Sequence, residues 1–195
     1  TNYSEEAVDY MWGHHPSFGA PFLSSDCRLD VPAARVTVHS FPEDANRRFE
    51  RGDEFSWPIM TTRFGETVDS SHIPGPECKG SDELCLMGLQ DGWYALTDTR
   101  RQVGFALEWD VQAFPYLWFW QVFGGGSGYP WYGRTFNCAL EPWSSYPLFG
   151  LQKAIEHGTH RRLEPHESTS AYLKAIAYAG VTRVSQVERG RVIPV

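Results

Sequence analysis

Two groups far apart in this chain have the types and settings needed to move protons. Glu141 closes the run R-T-F-N-C-A-L-E and is followed at once by Pro142 and Trp143. A carboxylate between Leu140 and a Pro-Trp corner is partly desolvated, which disfavours its charged form and improves it as a proton acceptor near neutral pH. It reads as an active-site base; the bland reading is a strand-end glutamate paired with Arg134 or another arginine. His15 stands in M-W-G-H-H-P-S-F-G, where Gly13 and Pro16 fix a turn at the end of an aromatic run. It reads as a functional imidazole, against the bland reading that both neighbouring histidines only bond backbone. Side chains of successive residues on an extended chain face opposite ways, so His14 and His15 do not share a metal, and the H-x-H spacing of a jelly-roll metal site is absent. His14 is placed with the substrate-binding residues. Trp118, Trp120, Trp131 and Trp143 could supply a stacking floor for a sugar, with Trp118 and Trp143 the chosen pair and at least two of the four expected to be packing. His39, His72, His157, His160 and His166 sit in polar contexts and receive no role.

The elements that must position these groups are strands. From Phe114 to Pro147 an aromatic run (F-P-Y-L-W-F-W-Q-V-F), a glycine-rich stretch (G-G-G-S-G-Y-P-W-Y-G) and a second apolar run follow one another, as two buried strands joined by a wide loop would. Further strands are predicted at Ala7–Trp12, at Arg28–His39 on its R-V-T-V-H alternation, and at Leu84–Leu89, Trp93–Thr97, Val103–Trp109, Tyr116–Phe123, Arg134–Glu141 and Ser170–Tyr178. Asp91-Gly92 reads as a hairpin turn. One helix is predicted over Phe149–His157, ending at Gly158. Phe41–Ser81 is long, polar and aperiodic, and Phe49, Phe55, Trp57 and Phe64 are the residues that could pin it down. The tail from Val181 is an edge strand or a frayed end.

Composition agrees with strands and loops. The chain has 195 residues, enough for one domain with a substantial core. It is 15 % aromatic, with 18 glycines and 13 prolines, a mixture of strand formers and turn formers. A formal charge of −7 with scattered acids leaves no basic face for nucleic acid. No apolar run reaches the roughly 18 residues that span a bilayer, and T-N-Y-S-E-E is not a signal peptide, so a cytoplasmic protein is expected. Its four cysteines (Cys27, Cys78, Cys85, Cys138) form no CxxC pair and read as buried thiols, with a Cys78–Cys85 bridge as the alternative. The strand-like start near Ala7 suggests further sequence upstream of Thr1.

Taken in order, the motifs resemble the aldose 1-epimerases, or galactose mutarotase-like proteins. Thr1-Asn2-Tyr3-Ser4 is similar to that family's T-N-x-S opening, and His15-Pro16-Ser17-Phe18-Gly19 to the setting of its histidine. Gly104 matches its glycine-marked strand, and Pro115-Tyr116-Leu117-Trp118 its proline followed by an aromatic strand. Ala139-Leu140-Glu141-Pro142 matches the pattern that holds its base. Leu163-Glu164-Pro165-His166-Glu167-Ser168 stands where an L-x-P-G-E-like turn is expected, with His166 replacing the glycine. The resemblance implies an all-β antiparallel sandwich (the supersandwich) of which this chain is the C-terminal part. It implies an isomerase that opens an aldopyranose ring with Glu141 as base and protonated His15 as acid, across a gap the width of the sugar, and needs no cofactor. It places a substrate-binding aspartate at Asp82, and the family's arginine and second histidine upstream of Thr1. The expected partner is a small sugar; nucleic acid and membrane are not expected. An open sheet edge would invite a second copy of the chain. Three other readings stay open on the residues: a non-catalytic carbohydrate-binding sandwich, a glycoside hydrolase, which usually needs two carboxylates where one well-placed glutamate is visible, and a structural β-protein.

Overall fold

The structure is a computed structural model and describes residues 1–39 and 46–195. Its strands in chain order are β1 (Val8–Tyr10), β2 (Ser17–Phe18), β3 (Cys27–Asp30), β4 (Arg35–Val38), β5 (Glu54–Ser56), β6 (Ile59–Thr61), β7 (Thr67–Asp69), β8 (Gly80–Met87), β9 (Trp93–Asp98), β10 (Val103–Trp109), β11 (Tyr116–Phe123), β12 (Phe136–Trp143), β13 (Arg161–Leu163), β14 (Leu173–Ala179), β15 (Val184–Glu188) and β16 (Arg191–Pro194). The helix α1 is Leu151–Glu156, with Gly158 at φ +66° just beyond it, the left-handed conformation that lets a glycine end a helix.

The strands build two principal antiparallel sheets, one of six strands in the order β2-β12-β11-β8-β4-β5 and one of four in the order β14-β10-β9-β3. They face each other across one core. Leu84, Leu86, Phe119 and Leu140 come to it from the larger sheet, and Leu29, Tyr94, Leu96 and Leu107 from the smaller. Burying this apolar surface is what holds two sheets face to face. The β15–β16 hairpin covers the far side of the smaller sheet, seating Val184 and Val187 on Trp93, Ala95 and Ala106. The chain is therefore nearly all-β, as expected, and the tail is neither frayed nor an edge of a main sheet.

Three local expectations change. R-V-T-V-H belongs to β4 alone, because the run Arg28–His39 splits at Pro32 into β3 and β4, which join different sheets. Asp91-Gly92 is not a hairpin: β8 and β9 lie in different sheets, and the turn carries the chain from one to the other. Its glycine is required by close approach, since a Cβ at Gly92 would stand 2.3 Å from the Trp109 carbonyl oxygen. The stretch 41–81 is not a bare loop, for β5, β6 and β7 lie within it. Phe49 is fully buried and Phe55 and Trp57 pack on the core, whereas Phe64 is exposed; Phe41 lies outside the described residues. All four cysteines are free thiols, so Cys78 and Cys85 form no bridge.

Candidate active site

The larger sheet decides which side chains can meet. Register pairs Trp118 with Glu141 and with Cys85, and Trp120 with Ala139 and with Glu83. With a side-chain period of two, Glu83, Cys85, Trp118, Trp120, Ala139, Glu141 and Trp143 share the outward face. Asp82, Leu84, Phe119, Gln121 and Leu140 take the inward face.

His15 reaches this outward face through backbone bonds to the edge of β12. The His14 amide donates to the Pro142 carbonyl at 3.1 Å, and the Leu140 amide to the Pro16 carbonyl at 3.0 Å. One turn earlier, Trp12 and Ser144 exchange bonds: the Ser144 amide donates to the Trp12 carbonyl and the Trp12 amide to Ser144 Oγ. Gly13 lies against the Trp143 indole so closely that a Cβ would stand 2.1 Å from Cδ2. The glycine lets the chain pass under the ring, and this fixes where His15 emerges.

His15 Nδ1 lies 2.9 Å from Glu141 Oε1. The other carboxylate oxygen, Oε2, accepts the Trp143 indole N–H at 3.0 Å. The Glu141 side chain is 6 % exposed and that of His15 57 %, so the carboxylate is held and the imidazole is free on its outer side. The expectation of a pyranose-wide gap is thus corrected: the two groups touch, because β2 pairs directly with β12 (Ser17 opposite Ala139). The His15 ring also faces Trp120 at 6.0 Å, and Trp120 faces Trp131 at 5.3 Å.

The structure does not bring the other expected residues together here. His14 turns to the opposite side, its ring 5.2 Å from Phe114 and 5.7 Å from Trp12, with Nε2 buried and unbonded. Asp82 points inward. It accepts the Arg48 amide at 2.9 Å and Arg48 Nε–H at 2.8 Å, while the same guanidinium bonds Gln121. Trp118 is fully buried, with Tyr146 stacked on it at 5.5 Å and 11°, and offers no open face to a sugar. Trp143 positions Glu141 and covers Gly13. The aromatic pair beside His15 is Trp120 and Trp131, both half-buried.

The residue missed by sequence reasoning is Glu83. It lies one position from Asp82 but on the outward face, and it is 9 % exposed. Burial, and then the charge of Glu141, pushes its carboxyl up to about 8. Among the described residues no arginine, lysine or histidine pairs with it. At neutral pH it is a protonated acid that can donate a hydrogen bond. Its signal was present in the alternation of G-S-D-E-L-C-L-M, where parity with Cys85 rather than with Leu84 sets Glu83 outward. The face therefore carries an imidazole–carboxylate pair, a neutral carboxyl and an indole wall, which suits general acid–base work. Among the described residues no three His, Cys, Asp or Glu side chains converge as metal ligands would.

A family profile described as a domain of unknown function, DUF4432, matches residues 1–176. The chain belongs to the DUF4432 family. No curated protein matches it. Its DUF4432 fold is similar to that of Slr1438 from Synechocystis sp. PCC 6803, with TM-score 0.56 and 16 % identity over 91 % of this chain. It is similar also to a "putative aldose 1-epimerase" of Klebsiella pneumoniae, with TM-score 0.58 and 15 % identity over 91 %. A protein of the same description from Escherichia coli K12 gives TM-score 0.53 and 18 % identity over 92 %. The chain spans 48 %, 40 % and 54 % of the lengths of these three. At such identities the likeness establishes the fold. No helix among the described residues is long and apolar enough to cross a membrane.

Proposed function

We propose that this protein is an aldose 1-epimerase-like isomerase that interconverts the α and β anomers of a sugar. The observation that carries the proposal is the His15–Glu141 pair, held at 2.9 Å on the outward sheet face beside Trp120 and the neutral acid Glu83. A sugar entering the site replaces the direct contact. His15, the exposed partner, swings aside, while Glu141 stays fixed by Trp143. Glu141 takes the proton of the C1 hydroxyl as the C1–O5 bond breaks, and protonated His15 gives its proton to O5. The free aldehyde turns about C1–C2. Closure on its other face returns the O5 proton to His15 and the carboxyl proton to the new C1 oxygen, so protons balance over the cycle. Glu83 donates a hydrogen bond to a ring hydroxyl, and Trp120 with Trp131 packs on the apolar C–H face of the ring.

Polarimetry of fresh α-glucose or α-galactose tests this in the full-length protein. Glu141→Gln should slow mutarotation at least about a hundredfold, the lower end of what one acid–base group contributes. Near-normal rates would remove Glu141 from the mechanism. One observation favours a second reading: Glu83 and Glu141 supply the two carboxyls, one kept neutral, that a glycoside hydrolase uses. Release of a chromogenic aglycone, without mutarotation, would select it.

A further inference from the structure

A cleft lies at the β4 side of the outward sheet face, across β11 and β8 from Glu141. Its volume is about 290 Å³, and His39, Tyr146, Phe149, Lys153 and His157 line it, a size near the roughly 300 Å³ lower bound of small-molecule sites. We infer that it is a subsite for a second, neutral sugar ring, so that the substrate is the reducing end of a disaccharide or longer saccharide. This inference rests on the proposed epimerase reading and deepens it.

Continuity comes first. The His39 amide donates to the Glu83 carbonyl at 2.8 Å, extending the β4–β8 register past Val38 opposite Leu84. Glu83 and His39 therefore sit side by side on one face, with Cβ atoms about 5 Å apart. A pyranose with its anomeric carbon at His15 and Glu141 turns its far edge to Glu83. A ring linked there continues over His39 and into the cleft.

The lining suits such a ring. Tyr146 is backed by Trp118 through the parallel stack, which fixes its plane. Phe149, 47 % exposed, stands at the mouth with its ring 4.5 Å from His39. His157 meets Tyr146 edge-on at 6.0 Å. Aromatic walls with polar rims accept a face that is apolar in its middle and hydroxylated at its edge. Charge argues against a phosphate. Lys153 is the one fixed cation of the lining and is already bound to Glu156 at 2.5 Å, and Glu54 lies close enough to act on the Tyr146 hydroxyl.

The experiment compares glucose and galactose with maltose, cellobiose and lactose, by mutarotation rate and by calorimetric affinity, on the full-length protein. At least one disaccharide should show the higher kcat/KM and the tighter binding. Phe149→Ala should cut its kcat/KM roughly three- to tenfold, the size of one aromatic contact, and leave the monosaccharides unchanged. His157→Ala should do the same to a smaller extent, as a check that does not depend on Phe149. Equal losses on both sugar classes, no loss on either, or glucose 6-phosphate outperforming every disaccharide would overturn the subsite. If no sugar mutarotates, the epimerase reading fails by itself. The subsite is then judged on affinity, and a disaccharide bound no tighter than its monosaccharide overturns it.

Discussion

The two faces of the six-stranded sheet are built from the same strands, yet they treat buried charge in opposite ways. On the inner face Asp82 is buried opposite Gln121, and its partners compensate: two backbone amides, the Arg48 guanidinium and, through Arg48, Gln121. On the outer face Glu83, its chain neighbour, is nearly as buried and has the negative Glu141 nearby, with no cation paired to it among the described residues. A core tolerates a carboxylate only when it is neutralised and bonded. A carboxyl held neutral beside an imidazole–carboxylate pair is what makes the outer side the candidate functional face. Adjacent residues of one type have divergent fates here because a strand alternates.

The contrast can be broken first at Arg48. Arg48→Met leaves the inward Asp82 without its counter-charge and should cost about 3–5 kcal/mol of stability in guanidinium unfolding. A loss below about 1 kcal/mol, typical of exposed pairs, would show that the inner face does not depend on compensation. Glu83→Gln probes the outer face through pH. Below about 4.5 the carboxyl is protonated in both folded and unfolded chains; above it the unfolded chain loses the proton while the folded protein keeps it up to about 8. The unfolded state then binds fewer protons, so stability falls as pH rises through this window, by a few kcal/mol in all, on the order set by linkage. Glu83→Gln should flatten that fall in thermal melts taken from pH 4.5 to 8. An unchanged slope would mean that Glu83 is not the group held neutral. The smallest effect is expected at Trp143→Phe, which keeps a ring over Gly13 but removes the indole N–H from Glu141 Oε2. Mutarotation should drop about tenfold in kcat, consistent with one hydrogen bond to a charged group, while the melting midpoint moves little. A change confined to KM would instead make Trp143 a sugar contact.

Much of the frame was legible before any coordinates. Period-two patterning and turn residues located β9, β10 and β11 to within a residue at each end, and the Gly13–Pro16 turn singled out His15 for a reason that the Gly13–Trp143 contact explains. The misses have one physical origin. The resemblance points to Asp82 and not to Glu83, and one residue along a strand moves a side chain to the other face. Trp118 and Trp120 differ by two positions and share a face. Tyr146 and His39 cover the buried indole and not the half-open one, and both come from segments more than twenty residues away. Asp91-Gly92 carried a hairpin's residues, but its two strands belong to different sheets, a choice made by the partners of β8 and β9 rather than by the turn.

The sequence by itself determined a strand-rich chain, the residues able to exchange protons, and the turn that delivers one of them, because backbone conformation and side-chain chemistry are local. Tertiary structure alone decided that His15 and Glu141 touch, that Glu83 rather than Asp82 shares their face, and that His39, assigned no role, lies opposite Glu83 and lines a cleft. Those outcomes depend on register between strands distant in the chain, and register is set by how two whole faces bury their apolar surface together.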